Sequence, residues 1–204
     1  MFFAFNSESS GFNGAIFNIL ARGLNNVCYW ISQIIGSVLI GLLYRKSISR
    51  RIRAHTGRTL LFLMLFVVHT WGCFYQKQCT RESVAPETDE MDNYDHGYTG
   101  RVWFYGFCGI LDVMRQTTAY WLMGAMLNDP SKLALFTGFY KSIQSVGAAG
   151  IWRTDAVKTP YMDIFISEWA LLVGGLVFAL PMVILRIKNH IDLDDKTITR
   201  MDDK

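Results

Sequence analysis

Long apolar runs alternate along the chain with short segments that hold nearly all the Lys, Arg, Asp and Glu. A helix of about 20 residues, rising about 1.5 Å per residue, crosses a hydrocarbon core of about 30 Å, and five runs reach that length. The first, Val27 to Tyr44, is rich in Ile, Leu and Val, with Gln33 and two serines as polar insertions. The second, Thr59 to Tyr75, is apolar enough to span unaided. Arg101 to Met126 forms a third, aromatic-rich and carrying Asp112 and Arg115 near its middle. Leu133 to Trp152 is the least apolar, with Lys141 and Gln144 inside it. Phe165 to Leu185 makes the fifth, and its Pro181 is tolerated in a membrane helix. Charges within the third and fourth direct those faces toward protein or water rather than lipid. The pattern predicts an all-α polytopic membrane bundle: a polar leader over 1–26, a membrane domain over 27–187 and a tail over 188–204. The opening MFFAFNSESSGFNGAIFN starts with an aromatic apolar stub and turns polar, as the retained end of a preceding span would; an ordinary leader is the alternative.

Composition narrows the class. With 204 residues, 51% of them hydrophobic and 18% charged, the chain is more apolar than a soluble domain. Its mean hydropathy of +0.20 averages over very uneven stretches. The length holds several crossings but not a dozen. A net charge of +3 is too small to indicate nucleic acid. No Gly-rich phosphate loop, zinc spacing or nucleophile elbow occurs, so no catalytic residue, cofactor or metal is expected and the lipid bilayer is the predicted partner. Cys28, Cys73, Cys79 and Cys108 form no metal-ligand pattern; packing is their expected role, with a Cys73–Cys79 disulfide as the alternative. No signal-peptide pattern is seen, so the first span is expected to direct insertion.

Charge then orients the spans, because short cytoplasmic loops collect Lys and Arg. RKSISRRIRAHTGR, after the first span, contains Arg45, Lys46, Arg50, Arg51, Arg53 and Arg58 and no acid. The next loop, Gln76 to Gly100, carries Glu82, Glu87, Asp89, Glu90, Asp92 and Asp95. The expected topology therefore has a non-cytoplasmic N-terminus, five crossings and a cytoplasmic C-terminus.

Asp112 and Gln116 are four residues apart and share a helix face, and Arg115 at i+3 can pair with Asp112. Such pairing lowers a cost of roughly 2.5–3.5 kcal/mol per isolated charge in the bilayer. On the fourth span Thr137, Lys141, Gln144, Ser145 and Ala148 form a polar and small face. If the two faces meet, Asp112, Arg115, Gln116, Lys141 and Gln144 line a transport path, with Asp112 titratable and Lys141 a counter-charge or anion contact. Equally, these groups can satisfy one another and fix helix register. Ser32 with Gly36, and Ser37 with Gly41, have the spacing of close helix packing. His69 reads as a proton relay or as a histidine bonded to a neighbouring helix, and the acidic stretch Asp89 to His96 as a solvated loop rather than a cation site. Trp71, Tyr75, Trp103, Tyr105, Trp152 and Tyr161, near span ends, are expected to anchor at the interface.

The strings FNGAIFNILARGLNNVCYWISQIIGS, DVMRQTTAYWLMGAMLND, GFYKSIQSVGAAGIWRTDAVKTPYM and EWALLVGGLVFALP carry a family likeness. From about Phe12 to Lys188 the chain resembles the C-terminal half of fungal major facilitator superfamily proteins of the uncoordinated-ninety-three-like branch. The resemblance implies a fold of two six-span bundles, of which these spans would be the eighth to twelfth. Two positions depart from the family pattern: Tyr44 stands where an Asp is expected after Gly41, and Arg115 where an aromatic residue is expected. Small-molecule transport by alternating access is implied, and because it needs two bundles a homo- or hetero-oligomeric partner is expected. The alternatives are a non-transporting membrane scaffold or regulatory subunit, or an inactive truncated remnant. The substrate is not legible.

Overall fold

In the computed structural model, residues 13–14, 16–45, 49–78, 80–81, 90–126 and 129–186 are described. Among them the chain forms five long α-helices and no strand beyond one isolated bridge between Phe17 and Met91. The helices are α1 (Ile19–Leu43), α2 (Arg50–Gln76), α3 (Tyr98–Met126), α4 (Pro130–Ala156) and α5 (Tyr161–Arg186). By length and composition α1, α2 and α5 are apolar enough to cross a membrane. Helices α3 and α4, which carry charge in their middles, are not among these three.

Each helix is longer than its apolar run. Helix α1 starts at Ile19, ahead of Val27, because the Asn18 side chain accepts the Ala21 N–H at 2.9 Å and caps it. Helix α2 takes in Arg50–Arg58, expected as loop: the stretch contains no proline, and arginine is a good helix former. Helix α4 starts at Pro130, whose fixed φ suits the first turn, capped by Asp129 accepting the Ser131 N–H at 2.9 Å. Lys188 to Lys204 lie outside the described residues.

Helix α3 is the hub, lying against α1, α2 and α4, while α5 packs mainly on α2. The core joins Tyr29 and Ile40 of α1, Leu61, Leu65 and Val68 of α2, Phe104 and Leu111 of α3, and Leu172 and Leu176 of α5. The closest seam is α1 against α3. Ser32 and Gly36 lie in it, Ser32 against Gly106 and Gly109, and Gly36 against Ile110 and Val113. Gly41 has no neighbour within 4 Å where its side chain would be, so the Ser37–Gly41 spacing marks no contact there. The opposite face of α1, with Ile31, Ile34 and Val38, is exposed, as a lipid-facing stripe would be.

Both ends of the bundle are tied. At one, Tyr44 stacks on Trp121 with ring centroids 4.5 Å apart and planes 3° from parallel, and its hydroxyl donates to Thr118 Oγ1 at 3.0 Å. Arg53 donates to the Tyr44 carbonyl at 2.7 Å and lies over the Trp121 ring. Tyr44 thus holds the junction by stacking and hydrogen bonding. At the other end Tyr98 donates to Asn25, which donates to Asn13, each at 2.8 Å, and Arg22 pairs with Glu90 at 2.5 Å. The N-terminal strand-like residues are held there: Asn18 N–H donates to Met91 O at 3.1 Å and Met91 N–H to Ile16 O at 2.8 Å.

Candidate functional site: a buried charge network between α1, α3 and α4

Asp112 occupies the middle of α3 and is 2% exposed; Arg115, one turn on, is 1% exposed. Arg115 Nη2 donates to Asp112 Oδ1 at 2.5 Å, a charge-assisted bond. The other carboxylate oxygen accepts from Gln33 Nε2 at 3.0 Å, Gln116 Nε2 at 3.2 Å and the Tyr29 hydroxyl at 3.4 Å. Tyr29 and Gln33, four apart on α1, reach across the seam that the small residues make close. A carboxylate offers about four lone-pair sites. All four donors found on Asp112 are polar side chains of the bundle.

The network continues outward. Gln116 presents its amide N–H to Asp112 and its Oε1 to Lys141, whose Nζ donates at 3.3 Å. Lys141 also sits over the Tyr120 ring, 5.5 Å from its centroid, and Tyr120 meets Tyr140 edge-on with centroids 5.8 Å apart. The spacing on α3 thus brings Asp112, Arg115, Gln116 and Lys141 into one connected path. Gln144 does not join it. It is 3% exposed, and its Oε1 has no hydrogen-bond partner among the described residues. Ser145 turns back to the Lys141 carbonyl of its own helix at 3.2 Å. Gln144→Leu is expected to raise stability, since an unpaired buried carbonyl costs about 1–3 kcal/mol; a lower unfolding temperature in micelles would show the amide to be paired.

Sequence reasoning missed Tyr29 and Glu168. Tyr29 reads as one more aromatic residue in an apolar span. Glu168 is 1% exposed on α5, and the readable signal was an acid inside the apolar run IFISEWALLV. Next to it Trp169 stacks on His69 at 5.6 Å, and Phe165 meets the same ring at 5.7 Å. His69 Nδ1 lies 2.9 Å from the Leu65 carbonyl of its own helix, so Nδ1 carries the proton there.

Cys28, Cys73 and Cys108 form no disulfide among the described residues, and Cys108 is buried; Cys79, the other half of the Cys73–Cys79 alternative, and Asp89 lie outside the described residues. Among the described residues no group of three or more His, Cys, Asp or Glu is placed to hold a metal ion. Trp103 and Trp152 are exposed in keeping with interface anchoring, but Tyr105 is buried, donating to Asn26 at 3.3 Å, and Trp71 packs on Phe104 and Phe107.

Over 194 residues the chain is 43% identical to an UNC93-like protein of Schizosaccharomyces pombe, covering 92% of this chain and 38% of that protein. Over 195 residues it is 35% identical to UNC93-like protein 1 of Arabidopsis thaliana, covering 94% of this chain and 42% of that protein. The chain belongs to the UNC93-like family. This UNC93-like chain spans about two fifths of the length of these curated relatives. It is also 25% identical over 199 residues to an uncharacterized membrane protein of S. pombe, covering 92% of this chain and 40% of that protein. No family model and no solved structure matches the UNC93-like chain. Family membership and three membrane-length apolar helices make it a membrane protein.

Proposed function

We propose that this UNC93-like chain supplies one helical bundle of a small-molecule carrier of the major facilitator type, working by proton-linked alternating access with a second bundle from a partner chain or another copy. The observation that carries this reading is the buried Asp112–Arg115 pair at mid-helix, joined by Gln116 to Lys141 on α4 and by Gln33 and Tyr29 to α1. Ionisable residues in membrane helices are costly and mark solute and proton paths. Asp112 ties Arg115 of its own helix to Gln33 and Tyr29 of α1, so a change at this carboxylate is felt as a change in helix position. The basic residues from Arg45 to Arg58 support a cytoplasmic location for the α1–α2 junction, and so a non-cytoplasmic N-terminus. Proteoliposomes loaded with a pH-sensitive dye test the reading. With the partner bundle present, at least one solute of a small-molecule library is expected to drive proton uptake, and Asp112→Asn is expected to abolish it with insertion unchanged. If no solute moves protons, the carrier reading fails.

A non-transporting scaffold is the second reading, favoured by one feature: Asp112 finds all four of its donors inside the bundle and needs no solute to complete it. On this reading Asp112→Asn changes only stability, and deleting the protein alters the location or abundance of a co-purifying membrane partner. Unchanged partners would end it.

A further inference from the structure

Lys141 stands in the middle of α4, where an ammonium seeks a negative partner, yet its two contacts are neutral: the Gln116 carbonyl at 3.3 Å and the Tyr120 ring at 5.5 Å. Asp112, the acid of the same network, is engaged by Arg115 at 2.5 Å and by three further donors. Among the described residues no carboxylate lies within 4.0 Å of Lys141; the ion pairs found are Arg22–Glu90, Arg81–Asp155, Arg115–Asp112 and Lys132–Asp129. An ammonium has three N–H donors and Gln116 takes one of them. Unlike Asp112 and Arg115, Lys141 is exposed and can be reached. Tyr120 and Tyr140, edge-to-face beside it, supply an aromatic wall.

We propose that Lys141 anchors an anion site, taking a small organic monoanion whose negative group pairs with the ammonium and whose apolar body lies against Tyr120 and Tyr140. The proposal rests on reading the network as a solute path and names the class of solute. The charge arrangement selects for sign: with no carboxylate within 4.0 Å among the described residues, the Lys141 ammonium favours a negative group. A neutral molecule of the same shape gains the aromatic contact but not the ion pair, and a cation is repelled. The Gln116 amide, bonded to Asp112 on one side and Lys141 on the other, links occupancy of this site to the buried pair.

Benzoate and its uncharged isostere benzamide are the probes, titrated calorimetrically into the purified full chain in detergent at constant ionic strength. Benzoate is expected to bind at least tenfold more tightly than benzamide. Lys141→Gln should bring benzoate down to the benzamide level, and Lys141→Arg should keep most of the difference. Equal binding of the two probes, no binding of benzoate, or a preference that survives Lys141→Gln overturns the site. The comparison of the two probes on the unmodified chain decides the matter even if Lys141→Gln does not fold. Because no flux is read, selective benzoate binding by a chain that moves no solute would sink the carrier reading alone. Flux without benzoate binding would sink the anion site alone.

Discussion

Arg115→Leu is expected to destabilise the bundle by about 3–5 kcal/mol, the cost of removing one partner of a buried ion pair. The reason lies in what remains. Asp112, 2% exposed, would keep Gln33, Gln116 and Tyr29 as donors but lose the only cation bonded to it among the described residues. Neutral donors do not replace a charge separated by 2.5 Å in a low-dielectric setting. Asp112→Leu takes from the guanidinium the carboxylate that lies 2.5 Å away. The double variant Asp112→Leu/Arg115→Leu removes both charges of the pair, so it should cost less than the sum of the two single variants, although Gln33, Gln116 and Tyr29 lose their acceptor. Reversible unfolding in mixed micelles gives the cycle. If the two single costs simply add in the double variant, the residues are not coupled and the pair does not organise this part of the bundle.

That cycle also separates the two functional readings. A scaffold in which the pair fixes helix register should keep its partner interactions in the apolar double variant, provided the bundle folds. A carrier should lose all flux, because both charges of the path have gone. Asp112→Asn is the gentler change, since its one amide oxygen can still accept either from Arg115 or from Gln33 and Tyr29.

The helices were legible because apolar runs of membrane length leave few alternatives, and the pairing of Asp112 with Arg115 and Gln116 was legible because spacings of three and four residues put side chains on one helix face. Their link to Lys141 followed from the polar face of α4. What hydropathy hides is where helices begin and what approaches from elsewhere in the chain. Arg50–Arg58 looks like loop by charge, yet backbone hydrogen bonding continues through it since nothing interrupts it. Ile19 starts α1 because of a cap at Asn18, a local hydrogen bond and not an apolar signal. Tyr29 and Gln33 reach Asp112 from 83 and 79 residues away in sequence, and no local spacing encodes such a meeting. Glu168 was visible as an acid in an apolar run, but its burial depends on how α5 sits against α2.

The meeting of α1 with Asp112 depends in turn on Gly109, and Gly109→Ala is expected to cost about 1–3 kcal/mol despite adding a single methyl group. An alanine Cβ there would lie 2.7 Å from the Tyr29 carbonyl oxygen and 3.2 Å from the Tyr29 ring. The nearer obstacle is backbone, so no rotamer change relieves it and α1 must move away from α3. Gly36 on the facing helix is less absolute: its nearest obstacle, also at 2.7 Å, is a methyl group of Val113, although the Ile110 Cα follows at 3.3 Å. Parting the helices at Gly109 would lengthen the Gln33 bond to Asp112 and draw away the Tyr29 hydroxyl, so the loss should extend from packing to the charge network. Gly23→Ala is the control, because nothing lies within 4 Å of the position its Cβ would take. There alanine should gain up to about 1 kcal/mol from helix propensity. Opposite signs for the two glycines in the same unfolding assay are therefore expected, and a Gly109→Ala protein as stable as the Gly23→Ala one would show that α1 and α3 do not approach as closely as the site requires.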